Sequence, residues 1–157
     1  METSYFKTPL GIAKIIGDEN GISVISIADE GTVSETIPEV LQQAVSQLND
    51  YFEGKRTDFH FKLNPSGTEF QQKVWKALLE IPFGKTCSYM DLSKKLGDVK
   101  AIRAVASANG KNPLWIVVPC HRVIGTDGSL TGYAGGLWRK KWLLEHENPS
   151  RKQELLF

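Results

Sequence analysis

The apolar residues of this chain change their period at one place, the segment "NPSGT" (residues 64–68), and that change limits what the chain can fold into. Ahead of it, "YFKTPLG", "IAKIIG" and "ISVISIAD" are strand-like and rich in isoleucine, and "GDENG" between the last two is a hairpin signal. Pro38 then opens a helix over "PEVLQQAVSQLNDYFEG": Val40, Leu41, Ala44, Val45, Leu48, Tyr51 and Phe52 recur at helical spacing, and Gly54 fits the stop. "DFHFKL" alternates and predicts one more strand. A unit of about 60 residues buries too little surface to be comfortably stable alone, so it is expected to dock on the remainder.

Beyond "NPSGT" the pattern is helical. "TEFQQKVWKALLEI" puts Phe70, Val74, Leu78 and Ile81 on one face with Trp75 beside them, and Pro82 and Gly84 end it. In "SYMDLSKKLGD", Ser88 and Asp91 have capping-box spacing and Gly97 closes about two turns. "VKAIRAVASANG" predicts a third helix that stops at Asn109-Gly110. Two short helices joined by a glycine-containing turn make a helix-turn-helix pattern, with the second as recognition element. On that second helix Ile102 and Val105 point inward, while Lys100, Arg103, Ala104 and Ser107 share the opposite face. Small residues there would let the backbone approach a nucleic-acid groove; the plainer reading is a solvated alanine-rich helix.

Charge weighs between those two readings. Residues 1–64 carry 5 Lys and Arg against 10 Asp and Glu, and residues 65–157 carry 14 against 8, so a net charge of +1 divides into −5 and +6. The asymmetry points to an anionic partner for the C-terminal part, nucleic acid first. The longest apolar runs fall far short of the ~20 residues of a membrane span. "METSYFKTPLG" has no basic region followed by an apolar core, so no signal peptide is expected. The two cysteines have no metal-type spacing and make no disulfide framework. Free thiols in a reducing cytosol or nucleoid compartment are the natural expectation.

One of those thiols has unusual company. In "IVVPCHRVIG" an apolar, strand-like run meets Pro119 and is followed at once by Cys120, His121 and Arg122. A thiol attacks as its thiolate, and a free cysteine of pKa about 8.5 is only slightly ionised at neutral pH. An active cysteine therefore needs a base or a cationic setting. His121 is adjacent, but in an extended segment successive side chains face opposite ways, so a water would have to carry the proton. A histidine base in turn needs a partner to fix its tautomer, usually a carboxylate. The competing reading is a buried cysteine acting as a small hydrophobe.

"PCHRVIG", preceded by "ANGKNP" and followed by "GYAGGLWRKKWLLEHE", resembles the O6-alkylguanine-DNA alkyltransferases. The likeness extends upstream through "GTEFQQKVWKALLEIPFGKTCSYMDL" and covers essentially all of residues 65–147, while "YFEGKR" and the acidic start resemble the family's less distinctive N-terminal part. The resemblance implies an α+β protein: a small N-terminal α/β subdomain of ribonuclease H type (residues 1–64), packed on a helical, winged helix-turn-helix DNA-binding and catalytic domain (65–157). It implies a monomer that meets double-stranded DNA carrying O6-alkylguanine, and also O4-alkylthymine, without cofactor or metal. Cys120 would accept the alkyl group irreversibly. His121 would act as base through a water, oriented by Glu147. Asn112 would bond backbone around the turn before the active-site strand, and Tyr89 would donate to the departing guanine. Arg103 would fill the space left by the extruded nucleotide, on a DNA face shared with Lys100, Ala104 and Ser107. Tyr133 and Gly135 would wall the pocket, with backbone at Cys120, Val123 and Ala134 on the base edge. The motif alone argues for the major groove; the resemblance implies the minor groove, where small residues and a wedge suit a lesion finder.

The other candidates read as ordinary structure. Cys87 matches no catalytic position, and His60 and His146 have no partners at metal spacing. Arg139, Lys140 and Lys141 form a charge run of the kind that is usually a solvated helix face, and "PSRKQELLF" reads as a fraying end. Two other function classes compete: a non-enzymatic binder of damaged DNA like the alkyltransferase-like proteins, in which tryptophan replaces the thiol, and a thiol hydrolase using Cys120, His121 and Glu147.

Overall fold

The structure, a computed structural model, describes residues 1–130, 132–133 and 135–150. The chain forms two compact units. The first is Met1–Ser66 together with Pro113–Val117; the second is Gly67–Asn112 together with the chain from Val118 onward.

In the first unit, β1 (Glu2–Thr8), β2 (Gly11–Asp18) and β3 (Gly21–Ala28) form an antiparallel meander in that order. Period-2 alternation turns Ser4, Phe6 and Thr8 of β1, and Ala13 and Ile15 of β2, inward. The outer edge of β1 is covered where Tyr5 and Ser34 exchange two 2.9 Å bonds, which removes part of a sticky edge. Helix α1 (Glu39–Phe52) follows Pro38 and buries Leu41, Ala44, Val45, Leu48 and Tyr51. Val40, expected on that face, is exposed.

"DFHFKL" is not a strand. Only Leu63 bridges β3, opposite Ile22. The reason lies in α1: Gln47 accepts from the His60 N–H (2.8 Å) and donates to the His60 carbonyl (3.2 Å), which Gln43 also reaches (3.1 Å). Side chains thus take the backbone groups that a strand partner would have used. Where the segment does meet β3, Gly21 (φ +129°) allows the approach, since a Cβ there would stand 2.9 Å from the Lys62 carbonyl.

The second unit begins with α2 (Glu69–Leu78), opened by a Thr68–Gln71 capping box. Val74, Trp75, Leu78 and Ile81 are buried; Phe70, expected with them, is exposed. Strand β4 (Cys87–Ser88) leads into α3 (Tyr89–Lys95), whose Ser88–Asp91 capping box forms as the spacing predicts. Gly97 turns the chain with φ +89°. The second helix of the helix-turn-helix opens as a 3-10 turn (Val99–Ala101) capped by Asp98, then continues as α4 (Ile102–Gly110). Trp75 Nε1 donates to the Ala108 carbonyl at 2.9 Å and ties α2 to α4. Strand β5 (Val123–Ile124) pairs parallel with β4, and α5 (Leu137–Glu147) closes the described chain.

The strand expected at "IVVP" is absent. Leu114 makes a single bridge to Ile25, held by bonds of 2.8 and 3.0 Å through Pro113 and Trp115. The Val117 N–H then returns to the Trp115 carbonyl, a γ-turn with Ile116 at φ +71°. A β-branched residue in that region is strained. A second such turn, Cys120 N–H to Val118 carbonyl at 2.8 Å, is centred on Pro119. Each turn takes an N–H and a carbonyl out of a possible ladder and bends the chain away from an extended course.

Candidate active site

The two turns deliver Cys120 into a 3-10 turn, Cys120–Arg122, rather than an extended segment. Three residues per turn set successive side chains about 120° apart, so Cys120, His121 and Arg122 point three ways instead of alternating. All are buried, His121 completely. Before them, Asn112 Nδ2 donates to the Val118 carbonyl at 2.7 Å and ties together the points where the chain leaves and re-enters this unit.

The last turn of α5 brings Glu147 against this turn. His121 Nε2 meets Glu147 Oε2 at 2.7 Å; Arg122 donates Nε to Oε1 at 2.7 Å and Nη2 to Oε2 at 3.0 Å. The remaining arm of the guanidinium, Nη1, donates to the Ile81 carbonyl at 2.7 Å, and the group lies 5.8 Å from the centre of the Phe83 ring. One carboxylate therefore serves two basic side chains that are adjacent in sequence.

The electrostatics assign the protons. Burial alone would raise the Glu147 pKa, but His121 and Arg122 outweigh it and hold the carboxyl well below the usual carboxylate range. Burial lowers the His121 pKa; Glu147 offsets part of this, while Arg122 and Lys140 push it further down. The ring is thus neutral at pH 7. Facing an ionised carboxylate, its Nε2 must be the N–H, which leaves Nδ1 as the basic nitrogen. Nδ1 has no hydrogen-bond partner among the described residues. Burial raises the Cys120 pKa; hydrogen bonds with Asn112 and Tyr133 and the Lys140 charge reduce the rise without cancelling it. At rest the group is a thiol, and it needs a base.

Lys140 and Arg139 are not a solvated face. Lys140 is fully buried and its pKa is lowered to about 8 by burial, with Cys120 opposing the fall. Its Nζ lies 6.0 Å from the centre of the Tyr133 ring. Arg139 donates to the Gly135 carbonyl at 2.9 Å and stacks 4.5 Å over Trp138. Gly135 and Tyr133, just ahead of α5, thus contact Arg139 and Lys140 respectively. Only Lys141 of the run is substantially exposed.

Beside this cluster is an open cleft of about 570 Å³ lined by Tyr89 and Tyr133, by Ile102, Arg103, Ala106 and Gly110 of α4, and by Gly125, Thr126 and Gly132. The volume is in the usual range for a small-molecule pocket, about 300–1,000 Å³. Three sequence candidates, Tyr89, Arg103 and Tyr133, therefore line the same cleft. Tyr133 also interacts with the Cys120 thiol, as Asn112 does. Lys100, Arg103, Ala104 and Ser107 are all exposed along one face of the recognition element. Val123 is buried in β5 and does not line the cleft, and Gly135 packs against Tyr133 instead. Ala134 lies outside the described residues. Cys87 is half-buried beside Val123 in the β4–β5 pair, its pKa raised by burial. His60 pairs with Asp58 on the surface, and His146 stacks on Trp142. Sequence reasoning gave no role to Arg122 or Lys140, and Thr126 of the cleft wall was also missed.

Residues 69–149 match the family model for the 6-O-methylguanine DNA methyltransferase DNA-binding domain, and residues 1–65 match that for its ribonuclease-like domain. The chain belongs to the 6-O-methylguanine DNA methyltransferase family. A methylated-DNA–protein-cysteine methyltransferase of Methanosarcina acetivorans is 44% identical over 154 residues, 94% of this chain and 98% of its own. One of Mycobacterium tuberculosis is 52% identical over 118 residues, 75% of this chain and 72% of its own. In three dimensions the chain is similar to the crystal structure of the M. tuberculosis protein in complex with DNA, with a TM-score of 0.87, 42% identity, and coverage of 95% and 94% of the two chains. The α+β fold, a small sheet unit and a helical unit, is that of these methyltransferases.

Proposed function

We propose that this methyltransferase repairs DNA by direct reversal, taking the alkyl group from O6 of guanine onto Cys120 in a single turnover. The observation that carries the reading is the His121 ring, with Nε2 held 2.7 Å from Glu147 and Nδ1 left without a hydrogen-bond partner among the described residues, so that Nδ1 can take the thiol proton. That proton passes to Nδ1 through a water. Sulfur then forms a bond to the alkyl carbon as the carbon–O6 bond breaks, and the electron pair leaves with the guanine. A donor aimed at the leaving base lowers the barrier. Tyr89 is suited to this, since it lines the cleft and its phenolic oxygen accepts from Asn109 Nδ2 at 3.4 Å. The imidazolium returns its proton to the departing base. The thioether product has no mild route back, so the protein is consumed.

A base within a duplex cannot present O6 to a nucleophile in line and must be extruded. The cleft lined by Tyr89, Arg103 and Tyr133 suits the extruded base. Arg103 occupies the vacated stack from the minor groove, exposed Ala104 and Ser107 let the helix approach closely, and Lys100 lies on the same DNA face. O4-alkylthymine enters by the same route. Intact mass after mixing with a duplex containing O6-methylguanine tests this: one added methylene per chain, mapped to Cys120 and lost in Cys120→Ser, is expected. A methyl on Cys87, or repeated turnover, would overturn it.

A further inference from the structure

Arg122 is a buried charge in direct contact with Glu147 that the proposed chemistry does not use. All three arms of its guanidinium are used: two on Glu147 and the third on the Ile81 carbonyl. Glu147 Oε2 is shared between this guanidinium and the His121 ring. We propose that Arg122 is a positioning residue that sets the basicity of His121, holding half of the Glu147 charge so that the imidazole stays neutral until Cys120 releases its proton.

A buried imidazole facing an unshared carboxylate gains a strong reason to be protonated, because an opposite charge in contact favours the cation. A protonated His121 has no lone pair on Nδ1 and cannot take the thiol proton. Arg122 removes that bias. It neutralises the carboxylate before the imidazole does, and its own charge, like that of Lys140 on α5, opposes a second cation nearby. Glu147 and Lys140 from α5 and Arg122 from the same turn are the charged groups acting on His121. The fork matters as well as the charge. Anchored at Ile81, the guanidinium cannot follow the carboxylate if it shifts, so Oε2 stays in line with Nε2.

The inference rests on the proposed role of Cys120 and is tested apart from it. Single-turnover alkylation of the full chain by free O6-benzylguanine, which needs no DNA, is followed against pH for wild type, Arg122→Gln and Arg122→Lys. Gln keeps a donor and loses the charge; its acid limb is expected to move to higher pH by about 1–3 units. Lys keeps the charge and loses the fork; its limb should stay near that of wild type at a reduced rate. A purely structural Arg122 would lower the active fraction of both variants and leave both limbs in place, and that result would overturn the proposal. Nitrogen-15 NMR of the wild-type imidazole gives a second reading that needs no variant. A neutral ring with its proton on Nε2 at pH 7 is expected, and a doubly protonated ring overturns the proposal even if Arg122→Gln does not fold. Failure of wild type to become alkylated at Cys120 would instead remove the functional reading.

Discussion

Glu147→Gln is the sharpest perturbation of the site, because the amide keeps the shape of the carboxylate and reverses one of its hydrogen-bonding edges. The carboxylate accepts three bonds, 2.7 Å from His121 and 2.7 and 3.0 Å from Arg122. In either orientation the glutamine NH2 must face a donor. A guanidinium has donors only, so the group that can yield is His121, by moving its proton to Nδ1 and accepting at Nε2. The proton then sits on the nitrogen that has to act as base. The same carboxylate-to-amide change in a serine-protease triad costs on the order of 10⁴ in rate, and a loss approaching that is expected here in quenched-flow single-turnover transfer. Arg122 also loses its counter-charge while buried. Breaking such a pair costs about 3–5 kcal/mol, and the one contact Gln retains puts the loss near the lower figure, readable in urea unfolding. Nitrogen-15 NMR should find the Nδ1–H tautomer. A variant that keeps the Nε2–H tautomer, or transfers within about tenfold of the wild-type rate, would refute the reasoning.

Other outcomes follow from single contacts. Arg103→Ala should slow transfer from duplex DNA far more than from the free base, and leave the slope of log K against log salt nearly unchanged; a fall of about 0.9 in that slope would make Arg103 a phosphate contact instead. Gly67→Ala should cost about 1–3 kcal/mol in urea unfolding, since its Cβ would stand 2.4 Å from a Trp75 ring that is pinned to Ala108; an unchanged midpoint would mean that the loop gives way. Lys140, with a pKa lowered from 10.5 to about 8, costs the fold about 3 kcal/mol at neutral pH. Between those values the folded form binds fewer protons than the unfolded, so stability should rise with pH from 8 towards 10.5, and Lys140→Met should remove that rise.

Local rules made much of the fold legible. The strand-like segments form β1, β2 and β3 with the "GDENG" turn between the last two, and the Ser88–Asp91 spacing marked the start of α3. The exposed row Lys100, Arg103, Ala104 and Ser107 follows from helical period alone. Failures came where side chains or irregular turns took over backbone groups. "DFHFKL" alternates like a strand, yet Gln43 and Gln47, more than a dozen residues earlier in the chain, claim the His60 backbone. "IVVP" looks like a buried strand, yet Ile116 sits at φ +71° and the hydrogen bonds close within three residues. Neither competitor has a signature in the segment it overrides.

The charged part of the site was hidden for a related reason. Arg139, Lys140 and Lys141 are consecutive on a helix, and a window of sequence cannot distinguish a solvated run from one covered by the chain that precedes it. Burial of Lys140 involves Tyr133, seven positions earlier, and the stretch around Tyr133 has no periodicity to read. Arg122 stood in plain view beside Cys120, but its meaning depends on Glu147, 25 positions away. A strand would have sent His121 and Arg122 to opposite faces; a 3-10 turn lets both reach the same carboxylate. The conformation of three residues therefore decides whether "CHR" is a nucleophile with two unrelated neighbours or a thiol beside a base whose proton affinity is fixed by the next residue. Because Pro119 and the γ-turn at Ile116 lead the chain into that conformation, the strain at Ile116 belongs to the construction of the site as much as to the fold.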